Sequence, residues 1–216
     1  LDTHPIKPMS GTFKPAQLQM NVEAGDRTRN LIQAEELITQ VAGQGANYAL
    51  LAEAKDLGWT PPVYLLEAEP LPEGKACRRF CELAREHGMF ICTGLVEKAE
   101  EEFFNAAVMI DRGGKLVLLH RKINRLDIRH PYYSQDERLG ICHTELGTFG
   151  LMICADGFAH QRVLSGVLGY LGADIFLSPC AWAVPHDHDN LKKPHGKTCR
   201  DAYIPVRENF VCGSQV

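Results

Sequence analysis

The sequence predicts an α/β fold with a mixed parallel and antiparallel sheet. Strand-like apolar runs alternate with amphipathic helical segments over the first hundred residues, and hairpin signals interrupt that alternation in the middle. No linker or internal repeat divides the 216 residues, of which 45% are hydrophobic and 23% charged, a balance that suits one domain with a sizeable core. Residues 1–12 read as an N-terminal arm and 13–216 as the domain.

Phe13 to Met20 is a weak first strand. From Asp26 to Gly45, apolar residues recur at Leu31, Ala34, Ile38, Val41 and Ala42, one face of a helix. Asp26 or Thr28 would start it, and Gly43 or Gly45 would stop it. Ala46 to Ala54 is apolar enough for a buried strand. Gly74 to Gly88 places Cys77, Phe80, Cys81 and Ala84 on one helical face, and Met89 to Val96 follows as a strand. Phe104–Asp111 and Lys115–Ile123 flank Arg112-Gly113-Gly114, a hairpin signal. A second hairpin is expected from Thr144–Leu146 and Phe149–Cys154 around Gly147-Thr148. A helix over Gln161 to Leu171 leads to a strand from Asp174 to Cys180. A polar segment rich in His and Pro follows, and Phe210 to Val216 is a short strand.

Several function classes fall away on composition. A net charge of −4 gives no general attraction to nucleic acid or anionic membranes, and no basic run appears. No apolar stretch is long enough to cross a bilayer. Leu1 to Gly11 lacks the charged start and apolar core of a secretory signal. Eight cysteines occur without a Cys-x-x-Cys pair, and several sit inside apolar strands, which favours a reduced, cytoplasmic protein over a disulfide framework.

One of the eight stands in a setting suited to a nucleophile. Cys154 ends the run Gly150-Leu151-Met152-Ile153-Cys154 and precedes a turn at Asp156-Gly157. A strand end would fix the sulfur, and a backbone N–H beside it could hold an oxygen that becomes negative. Glu53, which closes Tyr48-Ala49-Leu50-Leu51-Ala52, is a candidate base in a low-dielectric place; a strand-end acid facing solvent is the equal alternative. Lys122 closes Leu116 to Arg121 and could stabilise an oxyanion as a point charge, although a basic edge device is the commoner use of such a lysine. His186-Asp187-His188-Asp189, with His195 and Cys199 nearby, has metal-ligand chemistry. As neighbours in an extended loop they read better as a solvated segment, so no metal is expected.

Taken together and in order, Leu50 to Thr60, Leu119 to Asn124 and Gly150 to Asp156 resemble the nitrilase superfamily, the carbon–nitrogen hydrolases. Asn30-Leu31, Asn105, Gly172-Ala173-Asp174 and Arg207-Glu208-Asn209 agree with it. The resemblance implies a four-layer α-β-β-α sandwich. It also implies a Glu-Lys-Cys triad at Glu53, Lys122 and Cys154, with Lys122 and the Ala155 N–H holding the oxyanion. The implied reaction is hydrolysis of a small linear amide or N-carbamoyl compound through a thioester, with no cofactor, in a homodimer or higher homo-oligomer.

The family's second glutamate has no match before Tyr132-Tyr133; Asp127 and Glu137 are the candidates for that role. Trp182 and Tyr133 are the expected pocket walls. The sequence stops soon after Arg207-Glu208-Asn209, so the C-terminal part of the domain is expected to be missing. Ala155-Asp156 stands where nitrile-cleaving relatives usually carry Trp-Glu, which ranks nitrile hydrolysis second. A non-catalytic binding member of the family is a further alternative, and a metal-dependent hydrolase ranks last.

Overall fold

The computed structural model describes residues 13–58, 62–124, 132–181 and 210–213. The N-terminal arm therefore lies outside the described residues, as do the histidine-rich segment, Asp127 and Trp182. Among the described residues no helix is long and apolar enough to cross a membrane.

Two sheets pack face to face with helices outside them. The first sheet has the order β1 (Pro15–Gln17), β2 (Tyr48–Leu50), β3 (Phe90–Ala99), β4 (Glu102–Ile110) and β5 (Leu116–Arg121). β1, β2 and β3 run parallel, and β3, β4 and β5 are joined antiparallel. The second sheet has the order β6 (Ile141–Thr144), β7 (Gly147–Leu151), β8 (Ile175–Pro179) and β9 (Phe210–Gly213). β6 and β7 are antiparallel, while β7, β8 and β9 run parallel.

Side-chain alternation along the strands builds the layers. Tyr48, Leu50, Phe90, Cys92, Ala107 and Met109 face Phe149, Leu151, Ile175 and Leu177 across the space between the sheets. There the Tyr48 and Phe149 rings stack with centroids 5.5 Å apart. The opposite face of the first sheet, including Ala49, Ile91 and Val108, is covered by Ala34 and Ile38 of α1 (Arg27–Gly43) and Phe80 and Leu83 of α2 (Lys75–His87). α3 (Val163–Tyr170) covers the second sheet through Leu168 against Met152 and Phe176. The expected α-β-β-α sandwich is thus the observed one.

The predicted elements recur with shifted ends. Asp26, not Thr28, caps α1: its Oδ1 accepts from the Arg29 N–H at 2.9 Å. The regular ladder of β2 stops at Leu50; bonds to β3 continue through Leu51 and Ala52 before Ala54 turns the backbone to φ +47°. The second hairpin turns two residues earlier than expected. Thr144 Oγ1 accepts from Leu146 N–H and donates to Gly147 C=O, so Glu145-Leu146 form the turn and Gly147-Thr148 begin β7. β7 also ends at Leu151, and Cys154 opens a 3₁₀ turn over Cys154–Gly157 instead of closing the strand.

Candidate active site

Glu53 leaves β2 on a segment that is held from every side. Gly94 lies beneath it: its N–H donates to Ala52 C=O at 3.0 Å, and its C=O accepts from Lys55 N–H at 2.9 Å. A Cβ at Gly94 would stand 2.6 Å from Glu53 Cα and 2.7 Å from Ala54 N, so only glycine allows that approach. Asn30 fastens the other side. Its amide donates to Asp56 C=O at 2.9 Å and to Glu23 C=O at 2.8 Å, and its Oδ1 accepts from Glu23 N–H. Asp56 in turn accepts from Val96 N–H at 3.0 Å.

Lys55 is fully buried here, with its ammonium donating to Asn30 C=O. Burial pulls it down to about 7, against the pull of the Asp56 carboxylate. Asp56 is itself pushed up by burial.

The segment delivers a fully buried Glu53 side chain to Lys122. Lys122 Nζ donates to Glu53 Oε1 at 2.6 Å, and Asn105 Nδ2 donates to the same oxygen at 2.6 Å. Ala181 N–H donates to Oε2 at 3.0 Å. The carboxylate thus meets elements of both sheets. Lys122 is 3% exposed in its side chain, so the pair is an interior ion pair. Burial works against its ammonium, but Glu53, Cys154 and Asp156 together outweigh that, and the net direction is upward. The Lys122 backbone is fixed as well: its N–H donates to Asn105 C=O at 2.8 Å.

Cys154 is buried and has φ +43°, a conformation uncommon for a residue with a side chain. The bend follows Ile153 directly and is closed by Asp156 N–H donating to Ile153 C=O at 2.9 Å.

Asp156, two residues on, is fully buried and accepts four hydrogen bonds. Oδ1 takes Ile123 N–H at 3.2 Å and Asn124 N–H at 2.6 Å; Oδ2 takes Ile153 N–H at 3.1 Å and His120 Nε2 at 2.8 Å.

All three predicted triad positions are buried: Glu53 and Lys122 are in direct contact, and Asp156 bonds the Cys154 turn to the two residues that follow Lys122. Tyr133 is buried too, packed with Ala54, Leu57 and Val96. Glu137 is elsewhere: it is exposed and lines an open cavity of about 410 Å³ with Glu102, Phe104, Arg121, Gln135 and Asp136. That cavity is organised by Arg121, whose guanidinium pairs with Glu97 through two bonds of 2.7 Å. Asp127 and Trp182 lie outside the described residues.

In the sequence Asn105 and Asp156 stand out only as parts of matching segments, and His120 carries no role. Their signal is weak in one dimension. Asn105 reaches Glu53 from β4, and His120 reaches Asp156 across the two sheets.

The carbon-nitrogen hydrolase family matches residues 15–193. This chain belongs to that family. It is 30% identical over 178 residues to a nitrilase from Pyrococcus abyssi, covering 80% of this chain and 66% of that protein. It is 28% identical over 174 residues to the human deaminated glutathione amidase, covering 73% of this chain and 52% of that one. With an omega-amidase from Mus musculus it shares 29% over 121 residues, 56% of this chain and 43% of the other. The chain thus spans between 43% and 66% of the length of these relatives. Among solved structures, an amidase of the nitrilase superfamily from Nesterenkonia, in a form with a cysteine replaced by alanine, superposes with a TM-score of 0.79 at 17% identity, over 98% of this chain and 79% of that one. That likeness establishes the fold.

Proposed function

We propose that this chain is a cysteine-dependent amidohydrolase that cleaves the C–N bond of a small linear amide or N-carbamoyl compound. The buried Glu53–Lys122 pair beside Cys154 carries the reading. A carboxylate has about four acceptor sites. Among the described contacts Oε1 uses two, for Lys122 and Asn105, and Oε2 uses one, for Ala181. The remaining site on Oε2 is where Glu53 takes the proton of the Cys154 thiol.

The thiolate then attacks the carbonyl carbon and a C–S bond forms. The carbonyl oxygen becomes negative and is held by the Lys122 ammonium and the Ala155 N–H. Glu53 returns its proton to the nitrogen, the C–N bond breaks, and ammonia or an amine leaves. Water, deprotonated by Glu53, attacks the thioester, releasing the acid and restoring the thiol. Tyr133 and Trp182 serve as pocket walls and Asp127 or Glu137 as the supporting acid in this reading; the exposed place of Glu137 favours Asp127.

The amidases among the relatives support the amide substrate, while the Pyrococcus nitrilase favours a second reading, nitrile hydrolysis. A homo-oligomer belongs to the same proposal, supported by the apolar outer face of α3: Val163, Val167, Tyr170 and Leu171 are 52%, 40%, 96% and 48% exposed. A cytoplasmic setting agrees with the free cysteines.

Ammonia release from a panel of small amides, N-carbamoyl compounds and nitriles tests the proposal. Turnover of at least one amide, abolished in Cys154→Ala and unaffected by a chelator, is expected. Turnover that survives Cys154→Ala and is lost with the chelator would overturn it.

A further inference from the structure

Lys122 and Cys154 come from different sheets, yet one side chain fixes them relative to each other. Asp156 spends all its acceptor sites on groups that bracket the two residues. Ile123 N–H, Asn124 N–H and the His120 ring lie on either side of Lys122, and Ile153 N–H directly precedes Cys154. Both Asp156 and His120 are almost wholly shielded, at 0% and 2% exposure. The carboxylate can only accept, so the ring nitrogen facing it, Nε2, carries the hydrogen. Among the described residues the buried Nδ1 has no partner, which an unprotonated nitrogen tolerates better than an N–H would.

We infer that Asp156, held by His120, is a positioning residue that aims the Lys122 ammonium at the oxyanion formed over Cys154. The inference rests on the amidohydrolase reading. β5 ends at Arg121, and the Asn105 carbonyl ties the Lys122 backbone to the first sheet. Beside the Glu53–Ala181 bond, three of the four Asp156 bonds, from His120, Ile123 and Asn124, tie that stretch to the second sheet. An amide in place of the carboxylate would set a donor against one of those donors whichever way it turned, and the loops would separate there. The negative charge of Asp156 also favours the Lys122 ammonium.

A general structural role and a positioning role differ in which reactions they slow. Amide hydrolysis passes through an oxyanion. Alkylation of Cys154 by iodoacetamide forms a C–S bond and expels iodide at a saturated carbon, with no oxyanion, so it draws on Lys122 only through the thiolate that the ammonium favours. The full chain with Asp156→Asn should therefore lose on the order of 10²–10³-fold in kcat for the amide, the usual effect of one oxyanion donor. Its KM should stay within a few-fold, and its alkylation rate should fall less than about tenfold, well short of the loss in kcat.

His120→Gln, which retains an N–H where Nε2 stands, should keep most of kcat, and His120→Phe should not. This pair decides the matter if Asp156→Asn does not fold. Parallel loss of turnover and alkylation in Asp156→Asn, or equal kcat in His120→Gln and His120→Phe, would overturn the inference. Cys154→Ala separates this from failure of the parent reading. If that variant still turns over, the triad itself is wrong; if it is dead while Asp156→Asn is fully active, only the positioning role falls.

Discussion

Lys122→Met isolates what the buried ion pair contributes. Methionine preserves the length and most of the volume of the lysine stem but leaves the Glu53 carboxylate without its cation. Removing one partner of an interior pair typically costs about 3–5 kcal/mol, because the other charge stays buried. Glu53 keeps two of its three donors, from Asn105 at 2.6 Å and Ala181 at 3.0 Å, so the lower end of that range is expected.

For a chain of this size, about 3 kcal/mol lowers Tm by roughly 6–12 °C. Calorimetry or urea unfolding measures it. The companion variant is Glu53→Gln with Lys122→Met, which removes both charges and should recover part of the loss, since contacting residues couple by about 0.5–3 kcal/mol. Turnover stays absent in both. If Lys122→Met were as stable as the parent, or if the double variant were the sum of two independent losses, the pair would not be the interior ion pair described above.

Gly94→Ala should be costly although it adds one methyl: the contacts at 2.6 and 2.7 Å are with the Glu53 and Ala54 backbone, so Glu53 must move. A loss of about 1–3 kcal/mol or more in urea unfolding, together with lost turnover, is expected. Lys55→Met should raise stability in a pH-dependent way. The native ammonium lets go of its proton near 7 while the unfolded lysine holds it to about 10.5, so native stability rises with pH across that window. The full difference is worth roughly 5 kcal/mol, so Lys55→Met should gain most in Tm at pH 6 and little at pH 10; equal gain at both would refute the assignment. Tyr170→Glu on α3 should shift the protein toward monomer in light scattering at unchanged far-UV circular dichroism, and an unchanged mass would remove that face as the subunit contact.

The alternation of strands and helices was legible in the sequence because each element has its own period. α1 and α2 declare one buried face each, through Ala34 and Ile38 and through Phe80 and Leu83, and their glycine stops are local chemistry. The Asp111 turn before Gly114 was equally local: Oδ1 accepts from Gly113 and Lys115 N–H at 2.9 Å. The ends of β2 and β7 were not legible. Apolar sequence continues past Leu50 and Leu151, but tertiary bonds, not hydrophobicity, decide where the backbone turns at Ala54 and Cys154.

The same distinction holds at the site. Glu53, Lys122 and Cys154 each announced a strand end with a reactive group. The roles of Asn105 and His120 depend on partners 52 and 36 residues away, and three of the four Asp156 bonds reach groups 32 to 36 residues away, which no spacing rule connects. Glu137 was a candidate by proximity along the chain, and the run from Tyr132 carries it to the outer side of Arg121 instead.

The acyl-enzyme tests the account most directly. The full chain is mixed with a turned-over amide, quenched in acid during the first turnovers and digested, and the peptide containing Cys154 is weighed, with Glu53→Gln run beside it. The account predicts the mass of the substrate's acyl group on Cys154 in the parent protein, removed by hydroxylamine, and none in Glu53→Gln, where the base that deprotonates the thiol and protonates the leaving nitrogen is gone. An amide that is hydrolysed by the parent protein but leaves no acyl mass on that peptide would contradict it.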